Sequence, residues 1–69
     1  MKYADFVKKE FGEGYIFEVG DLVVATEDIL FLPKNTKVKI IGVSARGYDL
    51  VDEYGNKVIE TGWNRVCKY

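Results

Sequence analysis

Residues 47–63, GYDLVDEYGNKVIETGW, have the pattern of two β-strands on either side of Gly55-Asn56. Apolar and polar residues largely alternate in residues 48–54 and 57–63, as they do in strands with one buried face. Glycine adopts positive φ freely and asparagine tolerates it, so this pair favours a two-residue primed turn or a slightly longer bulged loop. We therefore predict a β-hairpin that forms the central pair of a small, bent sheet. The residues predicted to share its buried face are Tyr48, Leu50 and Val58.

Residues 2–11, KYADFVKKEF, have a helical period instead. Apolar side chains recur three or four positions apart along one side of this segment, which predicts a short amphipathic helix. Gly12 and Gly14 follow it, and glycine commonly ends a helix. A helix of this length is not stable alone in water, so we expect it to dock on an apolar surface. The apolar residues on its docking side are Tyr3, Phe6, Val7 and Phe11.

The middle of the chain adds further strands. Residues 22–26, LVVAT, are apolar and β-branched, which predicts a strand. Residues 27–36 contain Pro33 and predict a long loop, but Ile29, Phe31 and Leu32 are so apolar that we expect it to fold back over the core. Residues 37–43 predict a strand with a bend or bulge at Ile40-Ile41-Gly42. A last short strand is predicted at residues 67–69.

These elements predict one domain over residues 1–69, with a helix at 2–11 and a barrel at 15–69. The fold class expected is all-β: an SH3-like barrel of about five short strands with a short N-terminal α-helix. Such a sheet closes, or nearly closes, on itself and so protects its edges.

Composition limits the class of protein. The chain has a single cysteine, Cys67, which permits no internal disulfide and favours a reducing compartment, so we expect a cytoplasmic protein. No apolar run approaches the roughly 20 residues of a membrane span, and the N-terminus leads into no signal-peptide core.

Candidate catalytic groups are scarce, and we predict that the protein is not an enzyme. The chain has no histidine, the commonest general base near neutral pH. Cys67 therefore has no histidine to activate it and is predicted to be a small buried apolar residue. The acidic pairs Glu27-Asp28 and Asp52-Glu53 are sequence neighbours, which point to opposite faces where the chain is a strand. We expect no metal ion and no cofactor.

Charge is divided unevenly along the chain. Residues 1–33 contain three lysines against seven acidic residues, whereas residues 34–69 contain seven basic residues against four acidic ones. The two halves attract one another in a folded chain, and the second half also offers a weakly basic face to an acidic partner.

Binding of another protein is the function we expect. A domain this small cannot enclose a large ligand cavity, but its surface can present aromatic and arginine side chains, which dominate interface energetics. The alternative for Trp63 is a place in the core, and for Tyr48 and Tyr54 it is packing across the hairpin. The candidate protein-binding residues are Trp63, Arg65, Tyr48, Tyr54 and Arg46.

Nucleic-acid binding is the second candidate function. Small barrels bind nucleic acid with exposed aromatic rings for stacking and flanking cations for the phosphates. The sequence pI of 5.3 lies well below the value of about 9 expected for a dedicated nucleic-acid-binding domain, which makes this the weaker alternative. The residues that would form such a surface are Tyr48, Tyr54, Trp63, Arg46, Lys57 and Arg65.

Four stretches resemble SH3-like barrels of the bacterial and phage type: VGDLVVATEDI, LPKNTKVKIIGV, GYDLVDEYGN and GWNRV. The resemblance covers about residues 18–69 and implies a small β-barrel binding module, such as a phage, prophage or accessory regulator. Gly20-Asp21-Leu22-Val23 also resembles the KOW-type barrels, which would imply an association with nucleic acid. Signalling SH3 domains carry an ALYDY stretch and paired tryptophans, whereas this chain has Tyr48-Asp49 and the single Trp63. The resemblance therefore does not extend to polyproline recognition.

Overall fold

The chain folds into a five-stranded antiparallel sheet preceded by a short helix. The computed structural model describes residues 2–69. The order of strands across the sheet is β4-β3-β2-β1-β5. The elements are α1 (Lys2–Glu10), a 3₁₀ turn (Glu13–Tyr15), β1 (Leu22–Ala25), β2 (Lys37–Ser44), β3 (Gly47–Asp52), β4 (Lys57–Val58) and β5 (Val66–Lys68).

The N-terminal helix is confirmed, and it packs on the sheet as its apolar side predicts. Val7 is completely buried, and Tyr3 and Phe11 pack against the core, whereas Phe6 remains about half exposed. The helix ends where the amide of Gly12 donates to the Val7 carbonyl at 3.0 Å. Gly12 has φ +104°, a left-handed conformation that glycine adopts without steric cost.

The bend predicted in the second strand is confirmed as a β-bulge. The pairing of β2 with β3 shifts between Ile40 and Gly42, so that Ile40 faces Leu50 and Gly42 faces Asp49. A bulge sharpens the local twist of a sheet. It therefore helps the five strands to curl around one core.

The hairpin of residues 47–63 exists, but its predicted place in the sheet is wrong. β3 and β4 pair across a loop of residues 53–56, yet β4 is only two residues long and lies at the edge of the sheet. The central strand is β2, because β1 pairs with its other side and β5 then pairs with β1. Alternation within one hairpin specifies which faces are buried, but it does not specify which further strands join each edge.

The sheet is also open, so the predicted closure into a barrel is not made by strand pairing. β4 and β5 form the two edges and pair only with β3 and β1 respectively. β4 stops after Val58 because the following segment leaves the ladder through Glu60 (φ +53°) and Gly62 (φ +89°). Backbone with positive φ cannot continue a β-strand.

A single core lies between the sheet, α1 and the loop that follows β1. The expectation that this loop folds back is confirmed for Ile29 and Leu32, which are buried, but not for Phe31, which points outward. At one end of the sheet the backbones of Gly47 and Gly62 touch, and a Cβ at Gly47 would lie 2.2 Å from the Gly62 nitrogen. The buried apolar residues are Val7, Phe17, Val23, Ala25, Ile29, Leu32, Val38, Ile40, Tyr48, Leu50, Val58, Trp63 and Val66.

Candidate protein-binding groove

Tyr48, one of the predicted binding residues, lies inside the core. Its side chain is completely buried, and its hydroxyl donates to the Tyr15 carbonyl at 2.8 Å and accepts from the Phe17 amide at 3.0 Å. Burial raises the pKa of the Tyr48 hydroxyl above its ordinary value of 10.0. The ring is therefore unavailable to a partner. The Tyr48 hydroxyl instead joins the segment before β1 to the sheet.

Trp63 is likewise part of the core, with only 8% of its surface exposed. Its ring stacks on Tyr3 of α1 at a centroid distance of 5.8 Å and meets the ring of Tyr48 edge-on at 5.1 Å. Offset stacks and edge-on contacts of this kind stabilise a core beyond the area they bury. Trp63 therefore anchors the helix to the sheet and contributes little to the surface.

The structure does bring together the two predicted arginines. Arg46 lies in the two-residue turn between β2 and β3, and Arg65 lies just before β5. Both line an open groove of about 290 Å³, which we call the Leu30–Ile59 groove after its two exposed apolar side chains. Tyr54, which is 83% exposed in the β3–β4 loop, does not line it. The groove residues are Ile29, Leu30, Arg46, Val58, Ile59, Glu60, Thr61, Gly62 and Arg65.

One wall of the groove is a tight turn that holds large apolar side chains in solvent. Ile29 and Leu32 exchange two backbone hydrogen bonds, both of 2.8 Å, and their side chains are buried. Between them, Leu30 is 82% exposed and Phe31 is 56% exposed. Leu30 also has φ +52°, a conformation that two-residue turns normally give to glycine, asparagine or aspartate. A leucine there costs about 1 kcal/mol or more in backbone strain.

The opposite wall is the segment that leaves the sheet after β4. Ile59 is 66% exposed, and Glu60 follows it with φ +53°. This wall is held in place by hydrogen bonds: the Glu60 amide donates to Asp49 Oδ1 at 3.1 Å, and the Thr61 hydroxyl donates to the Tyr48 carbonyl at 2.8 Å. Both walls thus place a left-handed, non-glycine residue at the groove, and such conformations cluster at functional sites.

The charged side chains at the groove are two arginines and one glutamate. Arg65 Nε lies 3.4 Å from Glu27 Oε1, but both side chains are about half exposed, so this ion pair contributes little to stability. Arg46 makes no ion pair with any residue between 2 and 69. Its guanidinium therefore remains free to bind an acidic group.

The sequence interpretation identified the arginines of the groove but missed Leu30, Ile59 and Glu60. The one available signal was the apolar run Ile29–Leu32 within a loop, because a free loop is rarely so apolar. That run predicts burial of the whole segment, whereas the turn buries its two ends and exposes its middle. No residue favouring positive φ marks the turn in the sequence, so its geometry was not predictable.

Other parts of the surface have fewer features of a binding site than the Leu30–Ile59 groove. A larger depression of about 440 Å³ lies beside β5, where acidic Glu13 and Asp21 face Lys68. Cys67 on β5 is half buried opposite Val24, so it is less buried than predicted. In the described part of the chain, no three side chains of histidine, cysteine, aspartate or glutamate converge as metal ligands would.

No helix within residues 2–69 has both the length and the apolar character needed to cross a membrane. Comparisons of the chain with protein-family models, with curated proteins and with solved structures found no match.

Proposed function

We propose that this protein is a non-catalytic binding module that holds a partner protein in the Leu30–Ile59 groove. The observation that carries the proposal is Leu30, whose large apolar side chain is 82% exposed on a strained, left-handed backbone. Glycine at this position would relieve the strain and remove the exposed apolar surface. Leu30 thus lowers stability in two ways, through its strained backbone and through its exposed apolar surface. A favourable contribution to the free energy of binding explains why a leucine is present there.

The composition of the groove supports the same function. Leu30 and Ile59 provide apolar area, and Arg46 and Arg65 stand beside them. Protein interfaces combine apolar contact with arginine in this way, whereas a non-interacting surface rarely groups large apolar side chains. The groove is too open to enclose a small molecule, which usually binds with most of its surface buried.

The SH3-like class belongs to the proposal as well. It is supported by five short antiparallel strands, by the bulge at Ile40–Gly42 and by one core under a bent sheet. In this view α1 and the Ile29–Leu32 turn cover the parts of the core that strand pairing leaves open. The class is compatible with an accessory regulatory protein that acts by binding.

The variant Leu30→Gly tests the function. Peptides are selected from a phage-displayed random library on the wild-type protein, and their affinities are measured for wild type and variant. We expect Leu30→Gly to bind at least about tenfold more weakly, since a fully buried leucine contributes more than this factor requires. Its free energy of unfolding should be unchanged or higher, because the loss of strain offsets the greater chain entropy of glycine.

The control is Tyr54→Ala, which removes an exposed aromatic side chain outside the groove. It should bind the selected peptides as the wild type does. Failure to select any peptide, or equal binding by wild type and Leu30→Gly, would show that the groove is not a protein-binding site.

Nucleic acid binding remains the second candidate because of the lysines on the outward face of the sheet. Lys39 on β2 and Lys57 on β4 both pair with Val51, and Lys37 lies two residues from Lys39 on β2. An electrophoretic shift series with single-stranded and double-stranded DNA and RNA in rising salt tests this function. We expect no tight binding. A tight complex that weakens steeply with salt would replace the protein-binding proposal.

A further inference from the structure

The two edges of the sheet are protected differently. The 3₁₀ turn Glu13–Tyr15 lies against β5. Among the helices and strands of residues 2–69, β4 contacts only β3, and the loop that carries Leu30 lies across the groove from it. An uncovered strand edge offers backbone hydrogen-bonding groups to any extended chain that approaches it.

The backbone at this edge is available for pairing. The Asp52 amide donates to the Asn56 carbonyl at 3.0 Å, and Leu50–Val58 is the next hydrogen-bonded pair because such pairs alternate along an antiparallel ladder. Ile59, the neighbour of Val58, therefore turns its N–H and C=O away from β3. Within residues 3–69, neither group has a backbone or side-chain hydrogen-bond partner.

The free edge and the groove are one surface. Val58 and Ile59 belong to both, and Leu30 forms the facing wall. In a strand added beside β4, side chains on one face recur about every 6.6 Å, so one of them enters the groove while its neighbours point away.

Resting on the proposed function, we infer that the partner binds as an extended segment that adds a strand to the edge at Ile59 and places an apolar side chain between Leu30 and Ile59. A carboxylate of the same segment pairs with Arg46. The partner is therefore a protein segment that carries an apolar residue and, two positions away on the same face, an acidic residue.

The charges favour this partner over a second copy of the chain. The groove presents two arginines against one glutamate, and Arg46 has no ion pair within residues 2–69. Two copies joined edge to edge at β4 would bring these arginines towards one another, which opposes association. An acidic segment of another protein is instead attracted by these arginines.

Backbone methylation of the peptide is the decisive test. A peptide of about ten residues, selected from the phage library on the wild-type protein, is synthesised unmodified and with N-methyl groups on alternate residues in each of the two possible phases. Methylation on the side facing β4 removes the hydrogen bonds and should weaken binding about tenfold or more, whereas the other phase should bind as the unmodified peptide does. Equal effects of the two phases would overturn strand addition.

The protein side is tested with Ile59→Pro, which removes the free N–H and keeps an apolar ring. Val58 before it is in the extended conformation that proline requires. We expect Ile59→Pro to bind about tenfold more weakly than Ile59→Val, which trims the same side chain but keeps the N–H. If Ile59→Pro does not fold, the methylated peptides alone decide the matter.

Two further results separate the inference from the proposed function. If Leu30→Gly loses binding while both methylated phases bind normally, the groove binds proteins but not by strand addition. If selected peptides lack acidic residues, or if Arg46→Gln binds as tightly as wild type, the inferred chemistry of the partner is wrong. Concentration-dependent dimers in sedimentation that Ile59→Pro abolishes would identify a second copy as the occupant instead.

Discussion

At the scale of single residues, Tyr48 shows how an aromatic side chain that looks like a binding residue can be a structural one. Its ring contacts Tyr3, Phe17 and Trp63, and its hydroxyl satisfies two backbone groups of the segment before β1. Phenylalanine at this position would keep the ring contacts but leave the buried Phe17 amide without its acceptor. An unsatisfied buried donor is costly.

We therefore predict that Tyr48→Phe lowers the free energy of unfolding by about 1–3 kcal/mol. Urea denaturation measures this change. Tyr54→Phe is the control, because Tyr54 is exposed and its hydroxyl makes no hydrogen bond within residues 2–69. If Tyr48→Phe and Tyr54→Phe lower the free energy of unfolding equally, water replaces the Tyr48 hydroxyl as a hydrogen-bond partner without loss of stability.

At the scale of elements, the β3–β4 loop is organised by one carboxylate. Asp52 Oδ1 accepts from the amides of Tyr54 and Asn56 at 2.9 and 2.8 Å, and Oδ2 accepts from Asn56 Nδ2 at 3.0 Å. The Asn56 side-chain bond is the largest cause that holds the pKa of the Asp52 carboxyl below its ordinary value of 3.8, and the backbone amides add to it. The loop thus closes the short β4 onto β3.

The sign of the pH dependence follows from that lowered pKa. The ionised form is favoured in the folded state, so its contribution to stability is present above pH 3.8 and is lost as the pH falls through the lower folded pKa. We predict that Asp52→Ala is less stable than wild type at about pH 7 and that the difference shrinks as the pH falls below 3.8. Urea denaturation across this range checks it.

The matched control for this loop is Glu53→Ala, which removes the neighbouring carboxylate. Glu53 accepts no hydrogen bond from any residue between 3 and 69, so its removal should change stability little at any pH. If Asp52→Ala and Glu53→Ala follow the same pH profile, overall charge rather than the loop hydrogen bonds sets the dependence.

At the scale of the whole molecule, an open sheet predicts uneven stability. β2 pairs on both sides and carries the completely buried Ile40, whereas β4 has two residues and pairs on one side. Local opening is easiest where few buried contacts and few shared hydrogen bonds must break.

We predict that amide hydrogen exchange is slowest at Ile40 and at Val51, whose N–H points towards β2, and clearly faster at Val58, whose N–H points from the edge strand towards β3. Nuclear magnetic resonance exchange rates in the free protein measure this gradient. A selected peptide that binds at the β4 edge should slow exchange at Val58 and Ile59 more than at Ile40. Uniform protection across the five strands would instead indicate a sheet closed at its edges in solution.

Local pattern predicted much of this fold. The helical period of residues 2–11, the β-branched run at 22–26 and the bend at Ile40–Gly42 depend on side chains close in sequence, and each predicted element is present. The arginines of the groove were also identified, because arginine at a surface is recognisable by its chemistry alone. For Tyr48 and Trp63 the sequence left both a core and a binding position open, because an aromatic ring can fill either, and the structure places both in the core.

By itself, the sequence determined the N-terminal helix, the approximate positions of β1, β2 and β3 and which of their faces are apolar, since these follow from periodicity and backbone preference over a few residues. It did not determine that the strand predicted at residues 57–63 is limited to Lys57–Val58. Only the tertiary structure decided that β2 is central, that the β4 edge is left uncovered and that Leu30 stands in solvent beside Arg46. These features depend on contacts between residues far apart in the chain. Their free energies are set by packing around one shared core, and no local pattern encodes that packing.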